Sequence, residues 1–349
     1  SYCYDYLLLA AGVRTSYFGN SDWEEKTLGL KSLEEAREIR RRVLMNLEKA
    51  ELIADDQERE RLMTVAIVGG GPTGVELAGA FSHLAKQSLR QDYRAIDTSH
   101  LRVVLIEASD RVLAPYDEDQ SEYARRRLEH LGVEVWTGKR VADITDGHLE
   151  FSDGEALEAG AIIWAAGMEG HPLTRQLGVE PADRAGRITP RDDLSIPGRS
   201  EVFVAGDLVA MKDDNGNPIP GVAPAAMQMG RHVASLLKEE RRLEQSQFAD
   251  RKEEFRPRFR YFDKGIMAII GKNAAVVKSG GMRLQGFIAW LAWLFVHILF
   301  LIGFRNKLSV LLSWAYAYIH NTPDTRIIVS RAAWKDGEAG TGAPDEKVA

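Results

Sequence analysis

Six consecutive residues, Gly69-Gly70-Gly71-Pro72-Thr73-Gly74, spell G-x-G-x-x-G and have the clearest chemical use in this chain. They follow TVAIV, an apolar and β-branched run suited to a strand buried on both faces. Behind them Val75, Leu77, Ala78 and Phe81 are spaced as the buried side of a helix. In that setting Gly69 permits a tight turn, Gly71 lets backbone approach a pyrophosphate, and Gly74 lets the helix lie close on the strand. Free N–H groups and the positive end of the helix dipole then face the phosphates, so the stretch reads as a dinucleotide site. Glu107 ends the next apolar run, HLRVVLI; a carboxylate there takes the adenosine ribose hydroxyls and disfavours a 2′-phosphate, hence NAD over NADP. The spacing is long, 107 − 74 = 33 positions, because the helix is read as running on through LAKQSLRQDYRAIDTS. A strand-end glutamate that meets only solvent is the competing reading, and Arg111 keeps a phosphate partner in view.

Three further stretches carry weaker signals. YDYLLLAAG, residues 4–12, and IIWAAG, residues 162–167, are apolar strands ending in small residues. Each would let a planar group lie against Ala11-Gly12 or Ala166-Gly167 with no side chain in the way. Either one alone would pass as a core strand with a glycine turn. EVFVAGD, residues 201–207, sets Gly206-Asp207 at the carboxyl end of a strand, where open α/β sheets bind ligands; a simple turn is the alternative. The loop KDDNGNPIPG resembles a calcium loop but has Pro224 where a twelfth-position Glu belongs, so it reads as a hairpin at Asn215-Gly216, and no metal site is expected.

The elements that position these residues read as follows. Residues 22–62 are helical and charged, with one apolar stripe of Ala36, Ile39, Val43, Leu47 and Ala50. Short strands at residues 133–135, 142–144 and 149–151 are joined by Asp146-Gly147 and Asp153-Gly154 turns. A helix from Pro224 carries Gln228 and His232. Near the end, FIAWLAWLFVHILFLIGF is apolar except for His297; as one helix it would measure about 27 Å, just short of the ~30 Å hydrocarbon core. A basic break, Arg305-Asn306-Lys307, leads to a second stripe of Leu308, Leu311, Leu312, Ala315 and Ile319. With Trp290, Trp293, Trp314, Tyr316 and Tyr318 alongside, residues 286–320 read as a hairpin lying on a lipid surface, in preference to a buried or interface helix.

Bulk properties narrow the class. A length of 349 residues holds two cored domains, and a net charge of −6 argues against nucleic acid as a partner. Cys3 is the single cysteine, so this chain contains neither a disulfide framework nor a dithiol pair. The start SYCYDYLLLAAG has no basic n-region or cleavage site.

Together these stretches resemble the type II NADH dehydrogenases, single-subunit NADH:quinone oxidoreductases among the two-dinucleotide-binding flavoproteins. VAIVGGGPTGVELAGA is similar to the family's NADH motif and VFVAGD to its second FAD motif, while FDKGIMAIIGKNAAV and the block ending GFRNKL are similar to its membrane region. The resemblance implies an α/β, three-layer Rossmann-like fold with a C-terminal helical membrane-associated region. It implies FAD and NAD as cofactors, Asp207 on the FAD ribityl chain or pyrophosphate, and Glu76 near nicotinamide and flavin with a part in proton handling. GVAPAAMQMG resembles the quinone motif, in which Gln228 matches the second glutamine and Pro224 replaces the first. A membrane quinone, a homodimer and a peripheral or monotopic place on the cytoplasmic face of the bacterial inner membrane are also implied.

The expected organisation is a partial FAD domain in residues 1–20 and 169–255, a helical connector in 21–61 and an NAD domain in 62–168. A membrane-anchoring region follows in 256–330, then a disordered tail in 331–349. The family's first G-x-G-x-x-G, which cradles the FAD adenosine, has no counterpart here and is expected ahead of Ser1. The activity expected is hydride transfer from NADH to FAD, then quinone reduction without proton pumping. The alternatives are a soluble NADH-dependent flavoprotein reductase and an inactive NAD-binding, membrane-associated fragment.

Overall fold

The computed structural model describes residues 3–89, 92–245 and 253–320. In chain order, β1 (Leu7–Leu9) and β2 (Val13–Thr15) lead to α1 (Trp23–Lys26), α2 (Leu33–Leu52) and α3 (Asp56–Leu62). Next come β3 (Thr64–Val68), α4 (Pro72–His83), β4 (Arg102–Ile106), α5 (Glu118–Leu131) and β5 (Val133–Trp136). The strands β6 (Val141–Thr145), β7 (His148–Phe151), β8 (Ala156–Glu158), β9 (Ala161–Trp164) and β10 (Met168–Gly170) follow. β11 (Ser195–Ile196), β12 (Arg199–Val204) and α6 (Ala223–Leu243) come after them. The chain closes with β13 (Ile266–Ile269), β14 (Ala275–Ser279), β15 (Met282–Gly286), α7 (Phe287–Phe300) and α8 (Phe304–His320).

The central unit is a parallel sheet in the order β5-β4-β3-β9. Strand pleating sends Val65 and Ile67 to one face and Ala66 and Val68 to the other. The first face packs on apolar residues of α2, α4 and α5; the second packs on the antiparallel β6-β7-β8 sheet through Ile144, Leu149 and Phe151. Because both faces are covered, β3 is an unbroken apolar run. Helix α2 starts at a capping box, with Ser32 and Glu35 bonding each other's backbone, and buries Ile39, Val43, Leu47 and Ala50 on its inner face. Ile39, Val43 and Leu47 each contribute roughly 1.5–3 kcal/mol by leaving water.

A second unit has β1 parallel to β12, with β11 antiparallel beside it, and α6 packed across them through Met229, Val233 and Leu236. The antiparallel ribbon of β2 and β10 links the two units. Buried beneath α6, Arg256 donates to Glu240 Oε1 at 2.5 Å and Asp193 Oδ2 at 3.0 Å, while Tyr6 donates to Glu240 Oε2 at 2.7 Å. The antiparallel β13-β14-β15 sheet sits between α4 and α7. Ala268, Ile270 and Val276 enter the central core, and Ala275 and Val277 face Ala289 of α7. Gly79 lets the 271 loop touch α4: an added Cβ would stand 2.9 Å from the Gly271 nitrogen. Asp117 ties the same sheet down by bonding Lys278 and Arg283, both at 2.8 Å.

Two expectations are corrected. The helix after Gly74 does not continue toward residue 99. It ends at His83 and passes through a π turn, Leu84–Ser88. Glu51 of α2 then accepts the backbone N–H groups of Arg94, Ala95 and Ile96, which holds that segment in a non-helical turn. The 18-residue apolar block is likewise not one helix. Leu301 leaves the helix at ψ 139° and Gly303 turns at φ +84°, so α7 has 14 residues. That is about 21 Å long, and among the described residues no helix is long and apolar enough to cross a membrane. The tail expected to be disordered lies outside the described residues.

Candidate functional site

The glycine turn sits at the carboxyl edge of the parallel sheet, where β3 hands over to α4. Gly69 has φ +116°, and an added Cβ would meet Ala165 and Ala166 backbone at 2.8–2.9 Å. At Gly74 the added Cβ would run into the Gly69 carbonyl. Both glycines are therefore required by packing alone. Gly71 differs: it caps α4 in extended backbone, and nothing lies within 4 Å of a Cβ placed there. Pro72 occupies the first helical position, where a missing N–H costs nothing, and Pro72 and Thr73 are exposed. An open, α-helix-headed cradle of this kind fits a pyrophosphate.

Glu107 stands beside that cradle at the end of β4. Its Oε2 accepts the Gly70 N–H at 2.6 Å and its Oε1 accepts the Ser109 N–H at 2.7 Å. These bonds fix the carboxylate while leaving lone pairs for ribose hydroxyls. Arg111 turns away to donate to the Ala114 carbonyl at 3.1 Å. On the other flank β9 ends at Trp164, and Ala165 donates its N–H to Val68 O at 2.8 Å. Ala166-Gly167 thus adjoins the glycine turn on the side opposite Glu107. Sheet order alone produces this arrangement: β4, β3 and β9 are neighbours, so their carboxyl ends form one edge.

Glu76 lies one turn into α4 and faces the C-terminal sheet, where its Oε1 accepts the Ile269 N–H at 3.1 Å. Burial pushes its carboxyl above the ordinary value of 4.5, against a lowering by that hydrogen bond. Tyr116 was not singled out from sequence. Its ring is among the largest fully buried side chains and its hydroxyl has no hydrogen-bond partner. Burial first, then the Glu76 carboxylate, pushes the phenol pKa up. Two protonatable groups thus sit side by side next to the β13 sheet, each with its pKa raised chiefly by burial.

Ala11-Gly12 and Gly206-Asp207 come together at a second sheet edge, because β1 and β12 are parallel in the register Leu9↔Val204. Gly12 and Gly206 take φ +70° and +80°, and a Cβ at Gly12 would meet nothing within 4 Å. A phosphate or polyol chain fits this edge, and the Asp207 side chain there suits hydroxyl donors. Gln228 is not turned to open space. Its Oε1 accepts the Phe262 N–H at 2.9 Å and its Nε2 donates to Phe262 O at 3.0 Å and Pro224 O at 3.2 Å. The amide clasps the irregular segment leading to β13, where the Lys264 ammonium sits 4.9 Å from the centre of the Phe300 ring. The segment that Gln228 holds therefore reaches the end of α7 through Lys264.

Helices α7 and α8 form a foot. Ile302, Phe304 and Ile319 are 87%, 81% and 74% exposed, with Phe295, Leu299 and Leu312 also bare. Between the foot and α4 runs an apolar groove of about 660 Å³, lined by Gly79, His83, Trp290, Trp293, Trp314 and Tyr318. Burial, then neighbouring Lys272, pushes the His83 pKa down, so its imidazole is biased to neutrality.

A family model described as pyridine nucleotide-disulphide oxidoreductase matches residues 1–230. The chain is thus a pyridine nucleotide-disulphide oxidoreductase by class. The chain is 40% identical over 323 residues to the type II NADH:quinone oxidoreductase Ndh of Mycobacterium tuberculosis, covering 90% of this chain and 67% of that one. It is 36% identical to NdhA of the same organism, over 94% of this chain and 69% of that relative. Among solved structures, NDH2 from Plasmodium falciparum in complex with NADH superposes with a TM-score of 0.80 at 19% identity, covering 92% of this chain and 79% of that one. The chain belongs to the type II NADH:quinone oxidoreductases.

Proposed function

We propose that the chain binds NADH across the carboxyl edge of its β5-β4-β3-β9 sheet and works as a non-pumping NADH:quinone oxidoreductase. The observation that carries this reading is the cradle at Gly71, open above α4, with the Glu107 carboxylate fixed on one flank and Ala166-Gly167 on the other. Glu107 orients the adenosine ribose, the α4 terminus takes the pyrophosphate, and the nicotinamide half runs toward β9. FAD, when held with Asp207 and the bare Ala11-Gly12 backbone, supplies a two-electron acceptor that serves NADH and quinone in turn. Glu76, whose carboxyl burial shifts toward the protonated form, is the group placed to exchange a proton near that junction. Gln228 fixes the segment between α6 and the foot, and so shapes the quinone side rather than offering a free amide.

The bare foot supports contact with a lipid surface, since a soluble monomer rarely leaves so large an apolar patch in water. Arg305 and Lys307 at its turn suit anionic headgroups. Peripheral attachment at the cytoplasmic face of a bacterial membrane, as a homodimer, is the arrangement we infer. NADH oxidation with a soluble short-chain quinone, measured in the presence of FAD, tests the activity. Absence of turnover in a preparation whose absorbance shows bound flavin refutes it. Sedimentation with vesicles tests the attachment.

A further inference from the structure

We propose that Phe18 is a positioning residue for the nicotinamide ring, closing over Gly167 at the end of β9. Phe18 is a bulky residue held at φ +54°, a conformation that L side chains rarely adopt. The residue is 69% exposed, yet its ring is not loose. It stands edge-on to Trp164 with centroids 6.3 Å apart, and it lies so near Gly167 that an added Cβ there would be 2.6 Å from Phe18 Cζ.

The turn around it is built to hold that pose. Trp164 Nε1 donates to Ser16 O at 2.9 Å, and the Asn20 side chain donates to Tyr17 O at 3.2 Å. Tyr17 and Trp23 pack on Trp164 at 5.7 and 5.3 Å, so Phe18 is the ring of this cluster that faces outward. Strain at a non-glycine residue persists where the surroundings over-determine it, and such places are often ligand clamps.

The location supplies the ligand. Glu107 marks the adenosine end at β4 and Gly71 the pyrophosphate at β3, so the other half of a dinucleotide extends toward β9, where Gly167 and Phe18 lie. This placement rests on the nucleotide reading above. Gly167 is therefore not the bare platform its sequence suggested: the Phe18 ring covers it, and the outward side of that exposed ring suits a planar heterocycle, with no part in holding the adenosine half.

Titration calorimetry with NAD⁺ and with ADP-ribose, which lacks nicotinamide, separates the possibilities. Phe18→Gly suits the positive φ and leaves the turn unstrained, and Phe18→Tyr keeps the ring. Phe18→Gly is expected to weaken NAD⁺ binding about fivefold, the scale of one aromatic contact, and to change ADP-ribose binding less than about twofold. Phe18→Tyr restores NAD⁺ binding. Equal losses for both ligands, or none for either, would overturn the role of Phe18 while leaving the nucleotide site intact. Failure of the unaltered chain to bind ADP-ribose would defeat the nucleotide reading and this proposal with it.

Discussion

Replacing Gly71 and Gly74 separately by alanine distinguishes a glycine kept for a ligand from one kept for packing. At Gly71, φ −71° and ψ −178° are ordinary extended values, and a Cβ meets nothing within 4 Å. Alanine loses some capping quality relative to glycine, on the order of 1 kcal/mol, but gains about 0.4–1 kcal/mol by restricting the unfolded chain. The two effects cancel to within about 1 kcal/mol, so the melting temperature stays within a few degrees. The ligand has no such compensation. A methyl group at the cradle holds phosphate oxygens away from the backbone donors, and each charge-assisted hydrogen bond lost costs about 1.5–3 kcal/mol. ADP-ribose binding by calorimetry should therefore fall roughly 10- to 100-fold in Gly71→Ala. Gly74→Ala behaves otherwise: its Cβ would overlap the Gly69 carbonyl, so α4 must shift off β3. Overpacking of this kind costs about 1–3 kcal/mol and lowers stability as well as binding. The reasoning fails if Gly71→Ala binds ADP-ribose like the parent, or if it melts as early as Gly74→Ala.

Arg256→Ala leaves Glu240 and Asp193 buried without their cation, so urea unfolding should show a loss of about 3–5 kcal/mol; less than about 1 kcal/mol would count against the network. Glu76 carries a folded-state pKa above the ordinary 4.5, so the stability it lends below that value is lost as pH rises through the folded one. Glu76→Gln should therefore melt higher than the parent at pH 8, with the gap closing below pH ~4.5; a gap independent of pH would show that burial does not set its protonation. Introducing Glu at both Ile302 and Phe304, the barest tips of the foot, should cut sedimentation with anionic vesicles at least about tenfold, since each apolar side chain accounts for roughly 1.5–3 kcal/mol of transfer. Unchanged sedimentation would place the lipid contact elsewhere.

Local rules made the glycine turn legible. A run buried on both faces, a bend that only glycine allows and a periodic apolar helix face are all encoded within residues 63–80, and β3 and α4 form there. The α2 stripe and the Asp146-Gly147 and Asp153-Gly154 turns, with glycine φ of +78° and +86°, were readable for the same reason. The path beyond His83 is not legible locally, because Glu51 approaches from another helix to take the backbone N–H groups of Arg94, Ala95 and Ile96. Apolar composition suggested one long helix near residue 300, but Leu301 and Gly303 break it, and composition averages over that break.

The sequence by itself determined the glycine cradle, the strands that lead into Glu107, Gly167 and Asp207, and the apolar character of the foot, because each follows from near neighbours along the chain. Only the tertiary structure decided what those pieces face. It turned Glu76 toward Ile269, closed Gln228 on Phe262, buried Tyr116 without a partner and set Phe18 over Gly167. Those pairings join residues separated by 34 to 193 positions or hang on a strained turn, and no local spacing encodes which surfaces meet when separate elements pack.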